Sequence, residues 1–256
     1  MNEYLRHLNR IEFVITEACT GRCIHCQNGD NLDRTRHIAS DVATDAIAKI
    51  SALYDIKSVM TFGGEPLLYP DTVCAIHAAA KEAHIPKRQL ITNGYFTKST
   101  ARAAEIAVIL AETGVNDLLV SVDAFHQETI PLDTVLDFVR AAANTNIPVT
   151  LSPAWLVSKS DVNPFNIRTK EILEAFSGMD NVTEGSGNII FPAGNALKYL
   201  RLYFDSDETP IDPYVEDPYD LHSISFSSNG DVLGSNVYEA DIVEIIEKYD
   251  PAHDNL

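Results

Sequence analysis

The feature that most constrains this chain is an alternation. Six short runs rich in Val, Ile, Leu and Thr recur along it: IEFVIT (11–16), KSVMTF (57–62), RQLIT (88–92), DLLVSV (117–122), PVTLS (148–152) and NIIF (188–191). Nearly continuous apolar character over four to six residues marks a strand buried on both faces. Helical stretches lie between them: SDVATDAIAKISALY (40–54), DTVCAIHAAAKEA (71–83), STARAAEIAVILAET (99–113), LDTVLDFVRAAA (132–143) and NIRTKEILEAF (166–176). The first is expected to open on a Ser or Asp cap, and the third to end at Gly114. Such repeats give parallel strands joined by right-handed crossovers. The expectation is an α/β fold: a partial (β/α)6 TIM-like barrel over residues 1–200, with an open doubly wound sheet as the alternative.

After residue 200 the pattern changes. Pro210, Pro213 and Pro218 mark an irregular linker. SISFSSNGDVLGSN (223–236) reads as a hairpin turning at Asn229-Gly230, and VYEADIVEIIEKY (237–249) as a final helix. From Asp205 onward there are 14 acidic residues and one basic residue, Lys248, within a total net charge of −18. Residues 201–256 therefore form an acidic C-terminal extension, expected to cover the barrel opening and to favour a cationic substrate or basic partner. The charge argues against nucleic acid as a partner. The longest apolar stretch, near 101–115, is broken by Arg102, Glu105 and Glu112, which argues against a membrane span. The start, MNEYLRHLNR, has no apolar core of a secretory signal.

Three of the four cysteines, Cys19, Cys23 and Cys26, stand in C-x3-C-x2-C directly after the first strand; the fourth, Cys74, lies within a helix and reads as a small buried hydrophobe. Bunched thiols point to a reducing compartment, the cytoplasm, and to a metal rather than disulfides. The loops after barrel strands form the active face. Thiolates suit zinc or iron–sulfur clusters, but a structural zinc site wants a fourth ligand. In a four-iron cubane, three cysteines leave one iron free for a substrate or cofactor. Arg34, Arg36 and His37 follow as a candidate anion site or a solvated loop.

Strand, C-x3-C-x2-C, then a second strand ending in Gly63-Gly64-Glu65-Pro66 resembles a radical S-adenosylmethionine (radical SAM) enzyme. Thr92-Asn93-Gly94 after the third strand and Ser121-Val122-Asp123 closing the fourth are similar to family segments that line the cofactor. The resemblance covers roughly residues 10 to 195. It implies a 4Fe-4S cluster on Cys19, Cys23 and Cys26, with S-adenosylmethionine on the free iron. It implies cofactor contacts from Gly63, Gly64, Glu65, Pro66, Asn93, Ser121 and Asp123. Two glycines let backbone approach a ligand closely, Glu65 sets a carboxylate near a positive charge, and Asn93 and Ser121 suit ribose hydroxyls. Family members can stack an aromatic residue on adenine near the cluster; here His25 is the candidate.

The hairpin segment resembles the start of the cysteine-bearing extension of SPASM/twitch-type relatives, but no cysteine follows Cys74. FPAGNA (191–196) is like a family segment that often has Arg where Asn195 stands. With 18 residues before Cys19, a separate leader-recognition domain is not expected. The resemblance implies reductive cleavage of SAM and hydrogen-atom abstraction from a substrate, with peptides favoured and a small metabolite the alternative. An external one-electron reductant such as flavodoxin or ferredoxin would be required. A non-catalytic iron–sulfur electron-transfer or sensor protein is the alternative from another class.

Overall fold

The structure is a computed structural model that describes residues 2–29, 35–204 and 215–252. In chain order the elements are β1 (Arg10–Val14), α1 (Ser40–Leu53), β2 (Ser58–Phe62), α2 (Pro70–Glu82), β3 (Lys87–Thr92), α3 (Thr100–Thr113), β4 (Asp117–Ser121), α4 (Leu132–Ala143), β5 (Val149–Ser152), β6 (Ala154–Trp155), α5 (Pro164–Glu174), β7 (Val182–Glu184), β8 (Asn188–Ile189), α6 (Gly194–Tyr199), β9 (Ser223–Phe226), β10 (Asp231–Val232), β11 (Ser235–Asn236) and α7 (Ile242–Lys248). The main sheet runs β7-β5-β4-β3-β2-β1-β9. Every neighbour in it is parallel. Helices α1 to α4 pack in succession, α1 on α2, α2 on α3 and α3 on α4. That single outer layer belongs to a partial barrel; a doubly wound sheet would carry helices on both faces.

Five of the six expected strands are in this sheet; the sixth is different. NIIF does not join it: β8 pairs with β6 in a small separate sheet, and Val182–Glu184 pairs with β5 instead. The side chains of β7 are half-buried or exposed, so an edge strand held by backbone pairing left no apolar signal to read. The hairpin also differs. Ser223–Phe226 leaves the expected turn partner and pairs with β1, Arg10 opposite Ser223 through Phe13 opposite Phe226. Phe13 and Phe226, both fully buried, stack at 4.8 Å. The hairpin that remains is β10–β11, which turns at Leu233-Gly234.

Helix ends follow local chemistry. Ser99 caps α3 by accepting from the Arg102 amide, and left-handed Gly114 closes it. The expected Ser or Asp cap of α1 is absent. Ala39 holds that position, and its amide donates to the Tyr238 hydroxyl at 2.9 Å. Lys49 of α1 pairs with Asp241, the cap of α7. The C-terminal elements are thus fastened to the β1–α1 side of the barrel. Pro210 and Pro213 lie outside the described residues, as does Arg34. No helix among the described residues is long and apolar enough to cross a membrane.

Alternation along the strands sorts side chains into two sets. Ile11, Phe13, Val59, Leu90, Leu118 and Val120 are fully buried under the helices. Val14, Phe62, Ile91, Leu119, Ser121 and Thr150 share the opposite parity and are half-buried, facing the lumen. Below them Arg10 pairs with Glu12 at 2.5 Å, and Gln89 links Arg10 to Asp117. A polar floor therefore closes the lumen at the amino ends of the strands.

Candidate functional site

The three clustered cysteines lie beyond the carboxyl end of β1, at the open end of that lumen. The segment leading to them is laid against the end of β2. The amides of Gly64 and Glu65 donate to the carbonyls of Thr16 and Ala18, each at 2.8 Å. A Cβ on Gly64 would come within 2.2 Å of the Ala18 oxygen, and one on Gly63, where φ is +136°, within 2.5 Å of the Thr16 oxygen. The two glycines let the chain run this close to itself. The side-chain space they vacate belongs to residues 16–18.

Glu65 is fully buried. Its carboxylate accepts from the Leu67 amide at 2.9 Å, the Thr92 hydroxyl at 2.7 Å and the Asn93 amide at 2.8 Å. Burial raises its pKa to about 7 against these three donors. Pro66 opens the short helical turn that Glu65 caps. The side-chain amide of Asn93 points to the Cys19 sulfur at 3.5 Å. Glu65 thereby orients the residue that touches the first cysteine. Thr92, expected only as part of the Thr92-Asn93-Gly94 segment, completes the brace and also accepts from the Gly94 amide.

Cys23 is buried, and Cys19 and Cys26 are half-buried. A Cβ on Gly21 would lie 3.2 Å from the Cys23 sulfur and 3.7 Å from that of Cys19. Burial, then Asp123 and the other two thiols, pushes the Cys23 thiol far up; burial first, with Glu65 and Cys26, raises Cys19. Three soft donors, with the ionisation of Cys19 and Cys23 opposed by burial and by neighbouring thiols, fit a cationic thiophilic centre, whose charge would reverse that penalty. Cys74 stands apart, buried in α2.

The loop carrying Cys23 and Cys26 rests on the start of α6. The Asn195 backbone amide donates to the Cys26 carbonyl at 2.9 Å, and its side-chain amide to the Cys23 carbonyl at 3.3 Å. Gly194 is required there, since a Cβ would fall 2.0 Å from the Gln27 oxygen. Ile24 packs on a small cluster of Phe125, Leu156, Ile190, Ala196 and Leu200 beneath the loop. The FPAGNA segment was visible in the sequence; its role as a seat for the cysteine loop was not.

Asp123 is fully buried with both oxygens engaged. It accepts from the Phe125 and His126 amides, the His126 ring and the Ala154 amide, all within 3.0 Å. Burial alone would raise its pKa, but His126 and these donors hold it well below the usual carboxylate range. Burial lowers His126 and Asp123 outweighs it, so His126 is raised. His25 lies 4.9 Å from Phe125 and edge-on to His126 at 4.8 Å, with a buried Nδ1 that has no hydrogen-bond partner. Burial and His126 lower its pKa to about 4 despite Asp123. Ser121 is opposite Ser152 at the ends of β4 and β5, and Thr92 is opposite Val120. Asn93, Ser121 and Ser152 thus form a row of short polar groups along the rim. His37 stacks on Tyr69 at 3.9 Å.

The sequence pattern of the Radical SAM superfamily matches residues 13–159, the stretch that carries the cysteines, the glycine pair, Asn93 and Asp123. The chain belongs to the radical SAM superfamily. Radical SAM enzymes use a 4Fe-4S cluster and S-adenosylmethionine, generate a 5′-deoxyadenosyl radical and need an external reductant. The chain is therefore an enzyme, and the non-catalytic alternative falls. It is 24% identical over 243 residues to a GTP 3′,8-cyclase of Limosilactobacillus fermentum, covering 90% of this chain and 68% of the relative. It is 28% identical over 156 residues to a probable GTP 3′,8-cyclase of Methanocaldococcus jannaschii, of which it spans 50%. Among solved structures, Streptococcus suis SuiB bound to S-adenosylmethionine superposes with a TM-score of 0.61 at 14% identity, over 96% of this chain and 66% of that one. BtrN in complex with AdoMet and 2-DOIA gives 0.52 at 16% identity, over 93% and 82%. At these identities the structures share the radical SAM fold with this chain.

Proposed function

We propose that this radical SAM enzyme removes a hydrogen atom from a small metabolite, with Cys19, Cys23 and Cys26 holding the cluster. The observation that carries the substrate class is the relationship over 90% of the chain to a GTP 3′,8-cyclase, an enzyme named for a nucleotide substrate. The peptide expectation gives way to it, because Streptococcus suis SuiB, also solved bound to precursor peptide SuiA, shares only the fold with this chain at 13% identity. When bound, the cluster supplies the electron that splits S-adenosylmethionine into methionine and the 5′-deoxyadenosyl radical.

The chain's own residues bind, orient and exclude water. Asn93 and Ser121 offer hydrogen bonds to the ribose hydroxyls, and neutral His25 offers a flat face to adenine. Gly63 and Gly64 present backbone at the methionine end, with Pro66 fixing the turn behind them. Glu65 and Asp123 act mainly as braces, one for Asn93 and the other for the His126 loop, and both add negative potential toward the sulfonium and ammonium charges. The half-buried apolar middle of the lumen, from Val14 to Leu119, shields a radical from water. The described residues 215–252 of the C-terminal extension cover the open side of the barrel; β9 on β1 and the ties of Tyr238 and Asp241 to α1 support that role. Flavodoxin or ferredoxin is the expected electron donor, in the cytoplasm.

The test uses anaerobically reconstituted, reduced protein with S-adenosylmethionine and, separately, GTP, a panel of nucleosides and small metabolites, and peptides. The expected result is 5′-deoxyadenosine released in step with a modified small molecule. Stimulation by peptides alone, with the mass change on the peptide, would overturn the substrate class. For the ligands, Cys23→Ala is expected to lose iron and Cys74→Ala to keep it; the reverse would overturn the assignment.

A further inference from the structure

A second group of ligand-type side chains lies at the other end of the barrel, where the strands begin. His7 precedes β1, and Asp220 and His222 precede β9. The His7 Nδ1 is 2.7 Å from one Asp220 oxygen, and the His222 Nε2 is 3.8 Å from the other. The two imidazoles stack at 5.6 Å with 23° between their planes. One ligand atom from each residue lies within 4.8 Å of the others. Tetrahedral coordination at bond lengths of about 2.0–2.2 Å sets ligand atoms roughly 3.3 Å apart, so small rotations of exposed side chains close the remaining gap.

The backbone beneath them is already fixed. The amides of Asn9 and Arg10 both donate to the His222 carbonyl, at 3.0 and 3.1 Å, and the Leu221 amide donates to the Tyr4 carbonyl at 2.9 Å. Glu216 accepts from the amides of His222 and Ser223, which brings another carboxylate beside the group. The hydrogen bond from His7 holds the Asp220 carboxyl below its usual range, with His222 and Arg6 adding to the effect. Each of the three side chains is about half exposed, which leaves an open coordination position for water.

We propose that His7, Asp220 and His222 form a binding site for a divalent first-row transition cation of the zinc class, separate from the cysteine site. Two imidazoles and one carboxylate are the donor set such ions select over calcium or magnesium. A cation there would join the two ends of the chain at the seam where β9 meets β1.

The probe is Co²⁺, added anaerobically to protein whose iron–sulfur cluster is already assembled. The expected result is one Co²⁺ per chain beyond the iron, with weak visible bands, no thiolate-to-cobalt charge transfer, and displacement by Zn²⁺. His7→Ala and His222→Ala are expected to weaken binding at least tenfold each, with iron content and circular dichroism unchanged. Asp220→Asn, which keeps the shape of the side chain, is expected to do the same. Failure to bind Co²⁺ at micromolar concentration, equal binding by the double histidine variant, or a thiolate charge-transfer band on binding would each overturn the proposal.

Discussion

Asn195 holds Cys23 from behind: its buried side-chain amide donates to the Cys23 carbonyl, while its backbone amide serves Cys26. Neither contact involves a thiol, yet both fix the loop on which two thiols stand. Asn195→Ala removes the side-chain donor and leaves the Cys23 carbonyl with the Cys26 amide alone, a cost of about 0.5–1.5 kcal/mol. The expected outcome is a protein that folds but keeps less iron, seen by metal analysis and anaerobic thermal unfolding. Asn195→Asp, with no donor, is expected to behave like Ala. Full iron retention in both would remove Asn195 from the loop's support.

Gly64→Ala tests the close approach at the end of β2. Its methyl group would need the place of the Ala18 carbonyl, 2.2 Å away. Backbone cannot swing aside as a flexible side chain can, so the segment entering Cys19 must move. Iron uptake is expected to fall several-fold and S-adenosylmethionine affinity with it, while far-UV circular dichroism stays close to that of the parent. Parent-like iron and affinity would show that the segment tolerates the shift.

His77 gives a pH signature away from the site. It is fully buried, its one hydrogen bond among the described residues is with the Thr61 hydroxyl at 2.9 Å, and burial lowers its pKa to about 3. The folded state therefore resists a proton that the unfolded chain accepts near pH 6.5. Stability from this group is complete above pH 6.5 and is lost as pH falls toward 3, at up to about 1.4 kcal/mol per pH unit. Urea unfolding of iron-free parent and of a His77→Leu, Thr61→Val variant between pH 7 and pH 4.5 checks this. The variant is expected to show the shallower decline; parallel declines would mean His77 does not titrate this way.

Phe226→Ala measures what the last fifth of the chain contributes to the barrel. The ring stands on the edge strand β9 and is fully buried against Phe13 of β1. Its loss is expected to cost about 3–5 kcal/mol, the range for a buried aromatic cut to Ala. Chemical unfolding reads the difference directly. A loss under about 1 kcal/mol would mean that β9 only rests on the sheet.

By itself the sequence determined the features that are local. Strands β1 to β5 and helices α1 to α5 are legible because buried strands and amphipathic helices leave distinct periodic patterns over a few residues. The cysteine spacing and the glycine pair are legible because they too lie within short stretches, and their chemistry needs those residue types. Only the tertiary structure decided the rest. Val182–Glu184 became a strand through backbone pairing to β5, with almost no apolar side chain to announce it. Ser223–Phe226 left its expected hairpin for β1, near the opposite end of the chain. Asn195 reached the cysteine loop, and Glu65 reached Thr92 and Asn93 at the end of β3. Each of these is a pairing between distant segments, fixed by which hydrogen bonds and buried surfaces the folded barrel brings together. A periodic pattern shows which way a residue faces, whereas its partner exists only once the chain has closed around it.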